Sequence, residues 1–121
     1  MKSSYSFEKK NGYLYLVISG EYAMTDFLLY PKLIKEECEK QQVYKVMFDG
    51  LSVKGIATVL DKLLLGKEVA KTLGRKIKIA AVWQAEHITV FFETVAGNRG
   101  ARVSVFGDVE AAKNWLLNTP C

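Results

Sequence analysis

Apolar positions follow two rhythms along the chain. Residues 13–20 (YLYLVISG) form a short run of aromatic and β-branched side chains directly after Asn11-Gly12, a dipeptide suited to a tight turn. The pattern predicts a hairpin, with residues 5–9 as the antiparallel partner strand. The rhythm then changes. Pro31 is compatible with a first helical turn, where its missing N–H has no partner to lose, so a helix is expected to begin near Tyr30. Leu33, Ile34, Cys38 and the stem of Glu37 make its inward stripe, and residues 25–29 form a short extra turn before it.

A strand over residues 43–49 (VYKVMFD) leads through Gly50 to a second helix over residues 56–73, with Val59, Leu63, Gly66, Ala70 and Leu73 along one side. Gly66 costs about 1 kcal/mol of helix propensity relative to Ala, and close approach of this helix to a sheet is the expected reason for it. Gly74 sits at the position of a helix C-terminal cap. Residues 76–83 (KIKIAAVW) begin by alternating and become continuously apolar, as a central strand covered on both faces does. A short helix is expected over residues 86–96, carrying Ile88, Phe91, Phe92 and Val95 and closed by Gly97. Residues 101–107 read as the last strand, and Asp108 as N-cap of a final helix with Ala112, Trp115 and Leu116 inward. The order β-β-α-β-α-β-α-β-α implies right-handed crossovers and an α/β fold: a mixed, mainly parallel sheet with an antiparallel N-terminal hairpin at its edge, in one domain spanning residues 1–121.

Composition narrows the function classes. Half of the 121 residues are hydrophobic and a quarter charged, enough for one core without disulfide or metal support. No apolar run approaches the roughly 20 residues of a membrane span, and the first residues lack the apolar segment of a signal peptide, so the expected location is the cytoplasm. Cys38 and Cys121 have neither CxxC nor zinc spacing and are read as free thiols. The net charge of +4 is concentrated in Lys67, Lys71, Arg75, Lys76 and Lys78, read as a solvated basic face because no nucleic-acid-binding signature accompanies it.

Several stretches carry a family resemblance: GEY at residues 20–22, PKLIKEE from Pro31, VMFDGLSV from Val46, LGKEVAKTLGRKIKIAAV, and ETVAGNRGARVSVFGDVEAAKNWL near the end. In this order and spacing they resemble the STAS domain superfamily, in its SpoIIAA-like branch of anti-sigma factor antagonists, which is related to Sec14-type domains. The resemblance covers nearly the whole chain. It implies a non-catalytic regulatory module that works through protein–protein contact, in some members by phosphorylation of a hydroxyl in the turn after the strand. Phosphate placed at a helix start adds about −1.5 to −2 charge and can reshape an interface. Here Asp49, Leu51, Ser52 and Val53 are similar to that turn, but Ala57, Val59 and Leu60 stand where the phosphoswitch motif has Asp, Ser and Gly. Thr58 and Ser52 are the candidate phosphorylation sites, against the plainer reading of helix-start hydroxyls that cap a backbone N–H.

Other chemistry is sparse. His87 is the single histidine, without a second ligand for a metal or a triad at recognisable spacing, and is read as an exposed or helix-start residue. The segment AGNRGAR lacks phosphate-loop spacing; Gly97 and Gly100 are expected at positive φ, and Arg99 can pair with an acidic group. Trp83, Phe91, Phe92, Phe106 and Trp115 can line an apolar pocket, as the Sec14 relation implies, but ordinary core packing is the first expectation. Phe27, Leu28, Leu29 and Tyr30 are four successive large apolar residues, read as a docking or self-association patch or as a lip over an apolar groove. The expected partner-binding residues are Asp49, Ser52, Lys54 and Thr58, with Asn98 and Arg99 on a second loop. No cofactor, metal or nucleic acid is expected. The partner is a regulatory protein or a second copy of the chain, with a small apolar ligand or lipid as the alternative.

Overall fold

The computed structural model describes residues 1–118. The elements run β1 (Ser3–Lys9), β2 (Leu14–Glu21), α1 (Met24–Phe27), α2 (Tyr30–Gln41), β3 (Lys45–Lys54), α3 (Val59–Leu73), β4 (Lys78–Val82), a 3-10 turn (Ala85–His87), α4 (Phe91–Asn98), β5 (Arg102–Phe106) and α5 (Val109–Asn118). Strand order is sequential, β1-β2-β3-β4-β5, with β1 antiparallel to β2 and every other pair parallel. The expected element order and mixed sheet are observed.

Sequential order has a geometric consequence. Right-handed crossovers that always step in the same direction lay their helices on one face of the sheet. Here α2, α3 and α4 share one face, around a core that includes Leu14, Leu16, Ile18, Val46 and Ile79. Strand alternation sends Tyr13, Met47, Ala80 and Val82 to the opposite face, where α5 covers them with Ala112 and Leu116. Asp108 caps α5 as expected, its Oδ1 accepting from Ala111 N at 2.8 Å.

Four sequence expectations are corrected. The helix expected from residue 56 starts at Val59, because Thr58 and Asp61 form a reciprocal capping box; Val59, expected inward, is 70% exposed. The helix expected over residues 86–96 is broken, because Ile88, Thr89 and Val90 are three consecutive β-branched residues that disfavour helix; Ile88 is extended and α4 begins only at Phe91. Gly97 lies within α4 and does not have positive φ, whereas Gly100 does, at 95°. Lys78 is not part of a solvated face. It is 2% exposed, its Nζ donates to the carbonyls of Trp115 and Leu116 at 3.0 and 3.3 Å, and it lies 4.5 Å from the Trp115 ring centre. A cation at the carbonyl end of α5 is favoured by the helix dipole and the ring face.

Gly66 does mark a close approach, but to α4. A Cβ added there would stand 2.9 Å from Val95 Cγ1 and 3.3 Å from Ala96 N. The first turn of the chain is tied down separately. Asp26, buried in α1, accepts through Oδ2 from Lys2 N, Ser3 N and Ser3 Oγ, each at 2.9 Å, and Ser3 Oγ also bonds the Tyr30 hydroxyl. The Ser3 N–H, with the Ser3 hydroxyl and the Lys2 N–H, holds the Asp26 carboxyl below its ordinary range against the opposing effect of burial. The free thiol Cys38 is fully buried and pushed up to about 12 by desolvation; Cys121 lies outside the described residues.

Two stability measurements follow. Ala at Gly66 recovers about 1 kcal/mol of propensity, yet Val95 is stiff at χ1 and overpacking costs about 1–3 kcal/mol. Gly66→Ala is therefore expected to lower unfolding free energy in urea by up to about 2 kcal/mol, the difference of those two effects. Because the Asp26 pKa is depressed on folding, its stabilisation is present above the unfolded value and lost as pH falls through the folded one. Asp26→Asn is expected to lower the urea midpoint at neutral pH, with the gap to wild type closing below about pH 4.

Candidate functional site

An apolar opening lies between the sheet and the helices on its α2–α3–α4 face. Its floor is Phe48, Ile79, Ala81, Val103 and Val105 from three parallel strands. Tyr30, Pro31 and Ile34 of α2 form one wall, Leu65, Val69 and Leu73 of α3 the roof, and Phe92 of α4 the far side. Tyr22, Ile56, Ala57, Lys62, His87, Ile88 and Thr89 border it toward the C-terminal ends of the strands. The cavity measures about 150 Å³.

Two features of the sequence create this space. The first is a cluster of rings. Phe27 touches Tyr22, Tyr30, Phe48 and Trp83 at centroid distances of 4.8, 5.2, 5.9 and 5.9 Å, mostly edge to face. These bulky groups fill the end of the layer beneath α1, while α3 packs chiefly on α4 and α2. The second is the small Ala81 on the floor, which leaves the middle of the layer unfilled.

The strand-to-helix segment 46–60 has a structural role in this arrangement. A bulge falls in β3, where Val17 pairs with Asp49 but Ser19 pairs with Ser52. Beyond Asp49 the strand outruns β4, whose last paired residue is Val82, so its carbonyls lose their ladder partners on that side. The Gln84 amide replaces them, donating to Leu51 O at 3.0 Å and Val53 O at 2.7 Å. Gly50 leaves room for Trp83: a Cβ on Gly50 would lie 2.2 Å from the indole. Tyr22 N bonds Lys54 O at 2.7 Å, and the Tyr22 hydroxyl donates to Asp61 Oδ2 at 3.0 Å, which also accepts from Thr58 N. Burial, then the bond to Asp61, raises the Tyr22 pKa above the usual phenol range.

The expected site residues are dispersed. Asp49 is 8% exposed and faces the α5 side of the sheet, where its carboxylate accepts from the Tyr15 hydroxyl and from Leu51 N; burial and this bond push the Tyr15 phenol up to about 12. Ser52 and Lys54 are exposed at the end of β3, and Thr58 is the exposed N-cap of α3, its Oγ1 accepting from Asp61 N at 3.1 Å. Asn98 and Arg99 close α4 just before β5 begins, at the N-terminal end of the parallel strands and opposite the C-terminal end of β3, so the structure does not bring them to the same surface. Arg99 lies instead beside Lys67 and Lys71 of α3.

The Phe27–Tyr30 stretch is corrected in the same way. Phe27 and Tyr30 are 7% and 1% exposed and line the cavity, Leu28 is partly buried, and Leu29 alone is half exposed. Of the five aromatics weighed for a pocket, Trp83 and Phe92 line it, Phe91 is exposed, and Phe106 packs against Trp115 of α5 on the other face of the sheet. Ordinary core packing therefore describes only part of that set.

Tyr22, Lys62, Thr89 and the exposed apolar residues around the mouth were not legible as a site. Ile56, at the mouth, is 62% exposed; Val59, Leu60 and Val90, outside the cavity lining, are 70%, 61% and 73% exposed. The available signal was the Thr58-x-x-Asp61 capping pair, which fixes where α3 starts and so which side chains of its first turn face outward. Among the described residues no group of His, Cys, Asp and Glu is placed to hold a metal ion, and no helix is long and apolar enough to cross a membrane.

Comparison with known proteins places this geometry. No family model matches the chain, and no curated protein matches it. Among solved structures, it is similar to an anti-sigma factor antagonist from Mycobacterium paratuberculosis, with a TM-score of 0.65, 12% identity, and coverage of 94% of this chain and 93% of that one. It is also similar to an uncharacterized protein with a SpoIIAA-like fold from Shewanella loihica, with a TM-score of 0.58, 16% identity and the same coverage of each chain. The chain therefore has a SpoIIAA-like fold.

Proposed function

We propose that the protein is a non-catalytic binding module of the STAS type that takes up a small apolar ligand between α3 and the sheet. The observation that carries this reading is the cavity of about 150 Å³, walled by aromatic and aliphatic side chains. An apolar cavity of that size forfeits dispersion contacts along its lining, and an engineered cavity of similar volume binds benzene. Uptake of an apolar molecule recovers those contacts.

The regulatory side of the proposal is contact with a regulatory protein. It is supported by the fold shared with an anti-sigma factor antagonist and by the position of α3. Leu65, Val69 and Leu73 on its inner side line the cavity, whereas Val59, Leu60 and Leu64 on its outer side are exposed. A ligand that shifts α3 changes the surface offered outside. Ser52, Lys54 and Thr58 adjoin this surface and remain the proposed polar contacts, with Thr58 or Ser52 as the proposed phosphorylation sites.

The test is a titration of the reduced protein with 1-octanol, followed through the fluorescence of Trp83, alongside native mass spectrometry of freshly purified material. Saturable quenching or a released small apolar mass supports ligand uptake. Ala81→Leu fills the cavity floor and is expected to weaken 1-octanol by about tenfold or more, with a urea midpoint equal to or above wild type. If wild type neither binds 1-octanol nor releases a ligand, the ligand-binding reading fails.

A further inference from the structure

The polar groups at the mouth point to the chemistry of the ligand. Building on the reading of the cavity as a ligand site, we infer that its ligand is an amphiphilic monocarboxylate, with the chain in the cavity and the carboxylate held by Lys62 and Thr89.

Most side chains around the cavity are apolar; Tyr22, Lys62, His87 and Thr89 stand together at its mouth, with Tyr30 in the α2 wall. Tyr22 and Tyr30 are already committed, to Asp61 and Ser3 respectively. Lys62 and Thr89 are committed only to each other: Lys62 Nζ donates to Thr89 Oγ1 at 2.9 Å, across the gap between α3 and the segment before α4. Among the described residues Lys62 forms no ion pair, its hydroxyl partner is neutral, and its ammonium has two further protons to give. The nearest acid in sequence, Asp61, is engaged by the Tyr22 hydroxyl and the Thr58 N–H.

A carboxylate at this point gains a charge-assisted bond from Lys62 and a second from the Thr89 hydroxyl, which can turn to donate while the ammonium still reaches both. A single ammonium with one hydroxyl suits a monoanion. No arginine borders the cavity to supply the planar fork that favours phosphate. The volume sets the other end of the molecule, since about 150 Å³ holds a chain or ring on the order of benzene in size, with further carbons at the open rim.

The experiment compares octanoate, 1-octanol and octyl phosphate on wild type, Lys62→Met and Lys62→Arg at low salt, again through Trp83 fluorescence. Octanoate is expected to bind wild type at one site and to weaken about tenfold in Lys62→Met, while 1-octanol changes less than about twofold and Lys62→Arg keeps the preference for octanoate. A circular dichroism melt of each variant separates loss of the group from loss of fold. Equal weakening of octanoate and 1-octanol in a folded Lys62→Met, or no weakening of octanoate, overturns the inference and leaves apolar uptake standing. Tighter binding of octyl phosphate than of octanoate overturns the carboxylate assignment. Absence of binding by all three removes the ligand-site reading, and the inference with it.

Discussion

The contact of Phe27 with four other rings organises the cavity end of this molecule. Phe27 comes from the one-turn helix α1, Tyr22 from the connection before it, Tyr30 from the start of α2, Phe48 from the interior strand β3, and Trp83 from the end of β4. Edge-to-face pairs gain about 0.5–1.5 kcal/mol each beyond the area they bury, but only when their backbones hold fixed spacing. That spacing is enforced by backbone features with no aromatic content: the bulge after Asp49, the absence of a Cβ at Gly50, and the Gln84 amide that takes over the carbonyls of the overhanging strand.

Energetically, α3 is an unusual element for the middle of a layered fold. Its close packing is lateral, through Gly66 onto Val95 and Ala96 of α4, and onto α2. Toward the sheet it meets the cavity over the small Ala81, where burial is incomplete and dispersion contacts are missing. Its first turn is held by polar links instead: the Thr58–Asp61 capping box, the Tyr22 hydroxyl on Asp61, and Lys62 on Thr89. Single polar links of this kind contribute only about 0.5–1.5 kcal/mol each. A helix so held is fixed at its first turn by energies of the order of a few weak contacts.

The sequence by itself determined the layer architecture. The aromatic and β-branched run at residues 13–20, the alternating then continuously apolar run at residues 76–83, the period-3.6 stripe of Ile34 and Cys38, Pro31 in a first turn, Gly74 at a cap and Asp108 as an N-cap are local signals, and the strand and helix order follows from them by chain connectivity and handedness. Where local signals competed, the reading slipped: the three β-branched residues Ile88, Thr89 and Val90 broke an otherwise helical pattern, and the capping pair Thr58 and Asp61 moved a helix start by one turn. The candidate site was decided only by tertiary structure. Hydrophobicity cannot distinguish Phe27 at a cavity wall from Phe27 on a surface, nor Lys78 under α5 from Lys71 in water, because these fates depend on what lies opposite. A void is a property of the distance between elements, set here by Gly66 against α4 and by rings converging from five places in the chain, and no local stretch of residues encodes it.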